Sequence, residues 1–216
     1  MDPSNLIIAP ILLPLLTGAL LLLFDERKHT LKALLSVGST LLLVAIGMVL
    51  LRIADSGTAS VYLLGNWAAP FGIVLVLDRL SAVMLLVTSL LAIASLFFSL
   101  ARWDKMGSHF HSLFQFLLMG LNGAFLTGDL FNLFVFFEVV LSASYGLLLH
   151  GSGPHRVRAG LHYIAMNLAA SFLFLVGVAL IYGVTGTLNM ADLVGRIGEV
   201  PPENRFLLEA GAAILG

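Results

Sequence analysis

Long apolar runs alternate with short polar clusters along the chain, and the runs have the length of a bilayer crossing. A hydrocarbon core of about 30 Å takes roughly 20 helical residues to span. Six runs qualify: 6–24, 33–51, 80–101, 112–128, 130–149 and 161–184, together more than half of the chain. A transmembrane barrel would show segments of about 10 residues with polar/apolar alternation, and the sequence has none. The pattern predicts an all-α integral membrane protein, a polytopic helical bundle with six full spans. Pro10 and Pro14 fall inside the first run, where a lipid-buried helix tolerates them.

The connections carry their own signals. In the longest, 54–77, Gly65-Asn66-Trp67 and Ala69-Pro70-Phe71-Gly72 supply turn chemistry, and the flanking residues suit a short hairpin. Within 187–200, Met190, Leu193, Val194 and Ile197 share one helical face, with Asp192, Arg196 and Glu199 off it, as in a helix lying along the interface. A further apolar run begins at Phe206 and continues to Gly216, about 16 Å of helix. That is the start of a seventh span, and a helix end at the midplane leaves carbonyls unsatisfied. The chain is therefore expected to be the N-terminal part of something longer.

Composition narrows the function. The 216 residues are 59% hydrophobic and only 11% charged, against roughly 25% charged in a soluble domain. With a mean hydropathy of +1.03, a water-soluble core of this size could not hide so much apolar side chain. A net charge of −1 gives no basic footprint for nucleic acid. The absence of cysteine removes disulfides, thiolate metal sites and a cysteine nucleophile. His29, His109, His111, His150 and His155 lie in loops or flank the fourth run without an acidic cluster, so no metal site is expected. No phosphate loop, dinucleotide fingerprint or nucleophile elbow is present, and no cofactor is expected.

Basic residues set the orientation. Arg27, Lys28, Lys32, Arg102, Lys105, Arg156 and Arg158 follow runs one, three and five, whereas Arg52, Arg79, Arg196 and Arg205 lie on the other side. This bias places the N-terminus outside.

Glu138 is the sharpest chemical signal. It is the only charged residue in 130–149 and lies close to the midplane, where a carboxylate costs about 2.5–3.5 kcal/mol on insertion scales. Phe131, Phe134, Leu141, Ser142 and Tyr145 stack with it at helical spacing. Desolvation raises the pKa of such a group and a nearby cation lowers it, the balance a proton relay needs. The alternative is a structural carboxyl, hydrogen-bonded as a neutral acid to a neighbouring helix. Asn167 and Ser171 share a face of the sixth run with Tyr163 one turn earlier, and Asn122 and Asn132 lie in runs four and five. Such groups organise water or pack helices, and packing is the commoner use. His162, after Arg156 and Arg158, suits either a proton entry point or a contact with lipid headgroups. Asp78, Arg79 and Asp129 read as solvated helix ends.

The segment DLFNLFVFFEVVLSASYGLLLHG, 129–151, resembles the fifth helix of the D-type membrane subunit of the Mrp-type multisubunit monovalent cation/proton antiporters, relatives of the antiporter-like membrane subunits of respiratory complex I. The similarity continues through AGLHYIAMNLAASFLFLVGVALIYGVTGTLNMADL, 159–193, and back through GNWAAPFGIVLVLDRLSAVMLLVTSL, 65–90, covering nearly the whole chain. It implies a 14-helix protein built on two inverted five-helix repeats, of which this chain is the N-terminal half. Residues 1–109 would supply three helices and the outer hairpin, and 110–216 the first part of the proton-translocating repeat, cut within helix 7. The family's functional glutamate in helix 5 matches Glu138, and the helix 7 lysine that pairs with it would follow Gly216. Where some complex I relatives carry a lysine early in helix 6, this sequence has His162. The resemblance implies a transporter component rather than an enzyme. It would work in a bacterial plasma membrane with the other subunits of a Na+(K+)/H+ antiporter, Tyr145, Asn167 and Ser171 organising water on a proton path through Glu138. Membership of an NADH:quinone oxidoreductase-type redox complex, or an inert scaffold role, are the competing readings.

Overall fold

Pro10 decides where the first helix begins. Proline fits the first helical turn, where its missing N–H would have no partner anyway, and α1 accordingly spans Ala9–Leu22, preceded by a 3-10 turn over Pro3–Leu6. The expected start at residue 6 is thus three residues too early. The structure, a computed structural model, describes residues 3–25, 27–57, 59–67, 72–151 and 153–215, so residues 69–71 of the second predicted turn lie outside it. The elements that follow are α2 (His29–Ala54), β1 (Ser60–Leu63), β2 (Val74–Leu77), α3 (Arg79–Leu100), α4 (Phe110–Leu126), α5 (Leu130–Leu148), α6 (Pro154–Thr185), α7 (Met190–Arg196) and α8 (Arg205–Leu215). Among the described residues, α2, α3, α5 and α6 are long and apolar enough to cross a membrane, and α1 and α4 are shorter apolar helices of 14 and 17 residues.

The bundle is built by close approach of small residues. In lipid, helices gain little by hiding apolar surface from one another and associate through fine packing instead. Gly18 of α1 faces the Phe116 ring of α4, and Gly47 of α2 faces the backbone of Leu86 on α3. On α4, Gly120 lies against Val140 and Gly123 against the Phe136 ring, both of α5. Gly177 of α6 and Gly211 of α8 meet reciprocally: a Cβ on either would lie 3.0 Å from the other's carbonyl oxygen. The central layer is therefore α1, α4 and α5, flanked by the α2–α3 pair on one side and the α6–α8 pair on the other.

One end of the bundle is closed by backbone pairing. β1 and β2 form an antiparallel hairpin with Ser60 opposite Leu77 and Leu63 opposite Val74, the pairing expected within 54–77. Gly65 in its connection has φ 64°, a conformation open to glycine. Leu75 bridges to Thr127, and Asp129 to Asn189, so the hairpin, the α4–α5 junction and the α6–α7 junction meet here. Asp78 starts α3 with a capping box shared with Ser81, and Arg79 reaches back to Asp55 at the end of α2 at 3.3 Å.

Two further helices depart from expectation. α6 begins at Pro154, not 161, because Gly153 at φ 115° turns the chain and Pro154 fits the first turn. At 32 residues it is about 48 Å long. In α7 the predicted apolar face divides: Leu193 is buried, while Val194 is exposed and Ile197 half-exposed. Asn189 caps this short helix through Ala191 N and Asp192 N, and Arg196 pairs with Asp192 at 3.0 Å. The cap fixes the start of the helix, and the first turn buries Leu193 before the apolar stripe can be used.

Candidate proton-relay site

Asp129 starts the helix that carries Glu138. Its carboxylate accepts from Asn132 N at 2.9 Å, and the Asn132 side chain donates to Thr127 Oγ1 at 2.9 Å, so the α4–α5 turn is locked by polar contacts. Asn132 is thereby spent on the turn. Glu138 follows as the ninth of nineteen residues in α5, near its middle. One carboxyl oxygen is buried and has no hydrogen-bond partner among the described residues. The side chain lines a groove of about 390 Å³ between α4 and α5, with Leu113 and Phe116 on one wall and Val135, Val139, Ser142 and Ala143 on the other. A buried carboxyl oxygen without a partner carries its full desolvation penalty, so this position is poor as a structural hydrogen bond.

Of the other predicted residues, Tyr145 lies within electrostatic reach of Glu138, and the rest lie elsewhere. Asn167 and Ser171 line a separate cavity of about 250 Å³ between α5 and α6, walled by Phe134, Phe137 and Phe174. The Asn167 amide donates to Tyr163 O at 2.7 Å, a bond within its own helix. The Tyr145 ring meets Tyr163 edge-on at 5.7 Å, joining α5 to α6 on this same side. His162 is exposed and its Nδ1 bonds the Arg158 carbonyl at 2.9 Å. Helical spacing groups Phe134, Leu141, Ser142 and Tyr145 with Glu138. That arc is wider than one neighbouring helix covers, and the structure divides it, with Val135 and Ser142 beside Glu138 and Phe134 and Leu141 toward α6.

Sequence reading missed a buried polar cluster on the opposite face of α4. Gln115, fully buried, donates through Nε2 to Ser36 O at 3.2 Å and Ser36 Oγ at 3.1 Å, and accepts from Ser39 Oγ at 3.3 Å. Thr17 of α1 joins through Ser39 Oγ at 3.1 Å. One turn before Gln115, His111 is buried beside Asp104 with Nε2 3.7 Å from Oδ2. Lys32 is also buried. His111 and His150, expected at the surface, are both inside: Trp103–Lys105 forms a turn that folds back over the start of α4, and His150 Nε2 bonds Trp103 O at 2.8 Å. The i, i+4 spacing of His111 with Gln115, and of Lys32 with Ser36, was the available signal.

Long apolar helices joined by small-residue contacts define a helical membrane protein. Residues 127–216 match the transmembrane model of the NADH:quinone oxidoreductase/Mrp antiporter family. The chain is 63% identical, over 99% of its length, to a Rhizobium meliloti protein named as a probable K(+)/H(+) antiporter subunit of the D type. It is 44% identical, over 91%, to the D-type Na(+)/H(+) antiporter subunit of Alkalihalophilus pseudofirmus. It covers 40% of each of these relatives. Its fold matches a chain of the Mrp complex from Dietzia sp. DQ12-45-1b with a TM-score of 0.91 at 35% identity, over 100% of this chain and 40% of that one. Within the family the similarity is thus to the N-terminal part of the D-type antiporter proteins.

Proposed function

We propose that this chain is the N-terminal part of a proton-translocating subunit of a multisubunit Na+(K+)/H+ antiporter, with Glu138 in the proton path. The observation that carries the reading is the unpaired, buried carboxyl oxygen of Glu138 halfway along an otherwise uncharged apolar helix. A carboxyl without a fixed partner can take up and release a proton without breaking a structural bond, and intramembrane acids of this kind serve proton relays. Ser142, one turn away on the same groove, can hold water beside it. Asn167 and Ser171 line the neighbouring α5–α6 cavity, and with Tyr145 and the exposed His162 they are the further groups of the path in this reading.

Six membrane crossings, with the N-terminus outside and the chain in the bacterial inner membrane, fit this role. The 3-10 turn before α1 extends that crossing to about 30 Å. Residues 1–109 form a supporting three-helix unit, and 110–216 open the repeat that moves protons. The partners are the remaining subunits of the complex, the lipid bilayer, protons, and Na+ or K+; relatives carry either cation in their names. A membrane-arm role in a redox-driven proton pump is the second reading, favoured by the family's inclusion of NADH:quinone oxidoreductase proteins.

The test is cation-dependent proton flux in everted vesicles lacking their own antiporters, with the complete complex. Glu138→Gln and Glu138→Ala are expected to abolish exchange while assembly is intact. Flux that survives Glu138→Gln sinks the relay role, and an unmodified complex without cation-coupled flux moves the redox reading to first place.

A further inference from the structure

A pair of titratable groups lies buried outside the Glu138 groove. His109 takes φ 60°, turning the chain sharply into α4, so the Trp103–Lys105 turn lies over the helix start. This brings Asp104 and His111 together, each with a side chain no more than 4% exposed. Nε2 of His111 lies 3.7 Å from Asp104 Oδ2, beyond hydrogen-bonding distance. Both His111 ring nitrogens and Asp104 Oδ1 are buried without hydrogen-bond partners among the described residues, as is the Ser112 hydroxyl. Buried polar groups are ordinarily satisfied. A set of unsatisfied groups at one point is a site prepared for a change of protonation.

We propose that His111 and Asp104 form a second proton-binding site, separate from Glu138, at the end of the bundle that carries the α3–α4 connection. A proton taken up on His111 Nε2 converts a neutral ring beside a carboxylate into a charge-assisted pair, the stronger class of hydrogen bond. The surrounding charges are defined. Burial of the His111 ring opposes the proton most strongly, Asp104 favours it, and from α2 Lys32 and His29 add smaller electrostatic opposition. From the end of α5, His150 is separated from His111 by the Phe110 ring, which contacts both at 5.2–5.3 Å. One turn inward, Gln115 and Ser36 begin the hydrogen-bonded ladder to Ser39, Thr40 and Thr17. The site thus stands where an aqueous face meets a polar track into the apolar layer. It ends at Leu43 and Leu118, whose packing closes the track.

This inference rests on the antiporter reading for the direction from which the proton arrives, and its test is independent of transport. In the complete unmodified complex, deuterium exchange at histidine C2, read by mass spectrometry peptide by peptide, reports the titration of each imidazole. His111 is expected to show one reversible step between about pH 5 and 8, the range in which histidine changes charge. Asp104→Asn, close in shape, is expected to move that step about one unit toward acid, a tenfold loss of proton affinity. An imidazole that shows no step in this range overturns the proposal even if no variant assembles, and so does a step that Asp104→Asn leaves in place. Exchange lost in Glu138→Gln leaves this readout untouched, so the two readings fail separately.

Discussion

The Asn122 side chain donates to the carbonyl of Pro10 across 2.8 Å, and that carbonyl is the one Pro14, four residues on, cannot bond. A proline inside α1 and an asparagine inside α4, 112 residues apart, are two halves of one hydrogen-bonding arrangement. Without Asn122 the freed acceptor would face an apolar interior unpaired.

This relationship predicts a coupled pair of variants. Asn122→Leu is expected to destabilise the assembled protein by about 1–2 kcal/mol, the upper part of the range for hydrogen bonds between membrane helices. In a Pro14→Ala background the restored N–H takes the Pro10 carbonyl, and the cost of Asn122→Leu should fall by half or more. A double-mutant cycle on unfolding in detergent measures the coupling. Strict additivity would show that the bond contributes nothing.

The glycine contacts predict where bulk is forbidden. A Cβ on Gly120 would lie 3.0 Å from the Val140 backbone nitrogen, and one on Gly211 would lie 3.0 Å from the Gly177 carbonyl oxygen. Backbone cannot yield as a side-chain tip does, so Gly120→Val and Gly211→Val should each cost about 2 kcal/mol or more. Gly183→Ala, with open space around it, is the control. Protein abundance in membranes and protease resistance of the α6–α8 pair provide the readout.

Asp78 gives a pH prediction. Its carboxyl is held below the usual carboxylate range chiefly by the backbone N–H of Ser81, with the Ser81 hydroxyl adding to it, against a smaller desolvation effect. A group with a depressed folded-state pKa contributes stability that is complete above its unfolded value and is lost as pH falls through the folded one. Asp78→Ala should therefore cost about 1 kcal/mol near neutrality. The gap between the two proteins should close as pH drops below about 4, and thermal unfolding across that range checks it.

Gln115 supplies a fourth prediction. Gln115→Leu removes the bonds to Ser36 and Ser39, but Thr40 already donates to Ser36 O at 2.8 Å within its own helix. Serine and threonine hydroxyls fall back on their own helix in this way. The expected loss is accordingly modest, about 1 kcal/mol, whereas Gln115→Glu, which adds a buried charge, should block accumulation of the protein. Comparing the levels of both variants in membranes decides the matter.

Hydropathy made the long helices and the hairpin region legible, because length and apolarity are properties of a segment alone. Helix starts depended on proline and glycine geometry, and Pro10 and Pro154 moved two of them. The prominence of Glu138 was also readable, since one charge in nineteen residues needs no partner to be noticed. The division between its groove and the cavity of Asn167 and Ser171 was not. It depends on which neighbouring helix covers which side of α5, and that is decided by Gly120 and Gly123 drawing α4 close. Lys32, Asp104 and His111 were hidden for a different reason. Charged residues next to an apolar run suggest solvent, and the fold-back of Trp103–Lys105 brings Asp104 against His111 inside, where Lys32 is buried too.

At the hairpin end, α4, α5 and the start of α7 are joined by backbone bonds from Gly128 N to Val74 O at 2.8 Å, Leu130 N to Leu188 O at 2.9 Å and Met190 N to Gly128 O at 2.9 Å. At the opposite end side chains tie the start of α6 to the α3–α4 connection and the end of α5, with Arg156 stacked on Trp103 and bonded to the His150 carbonyl. Side chains change rotamer far faster than paired backbone separates. The two ends of the bundle are therefore tied differently, by paired backbone where the strands are and by side chains at the Arg156 end.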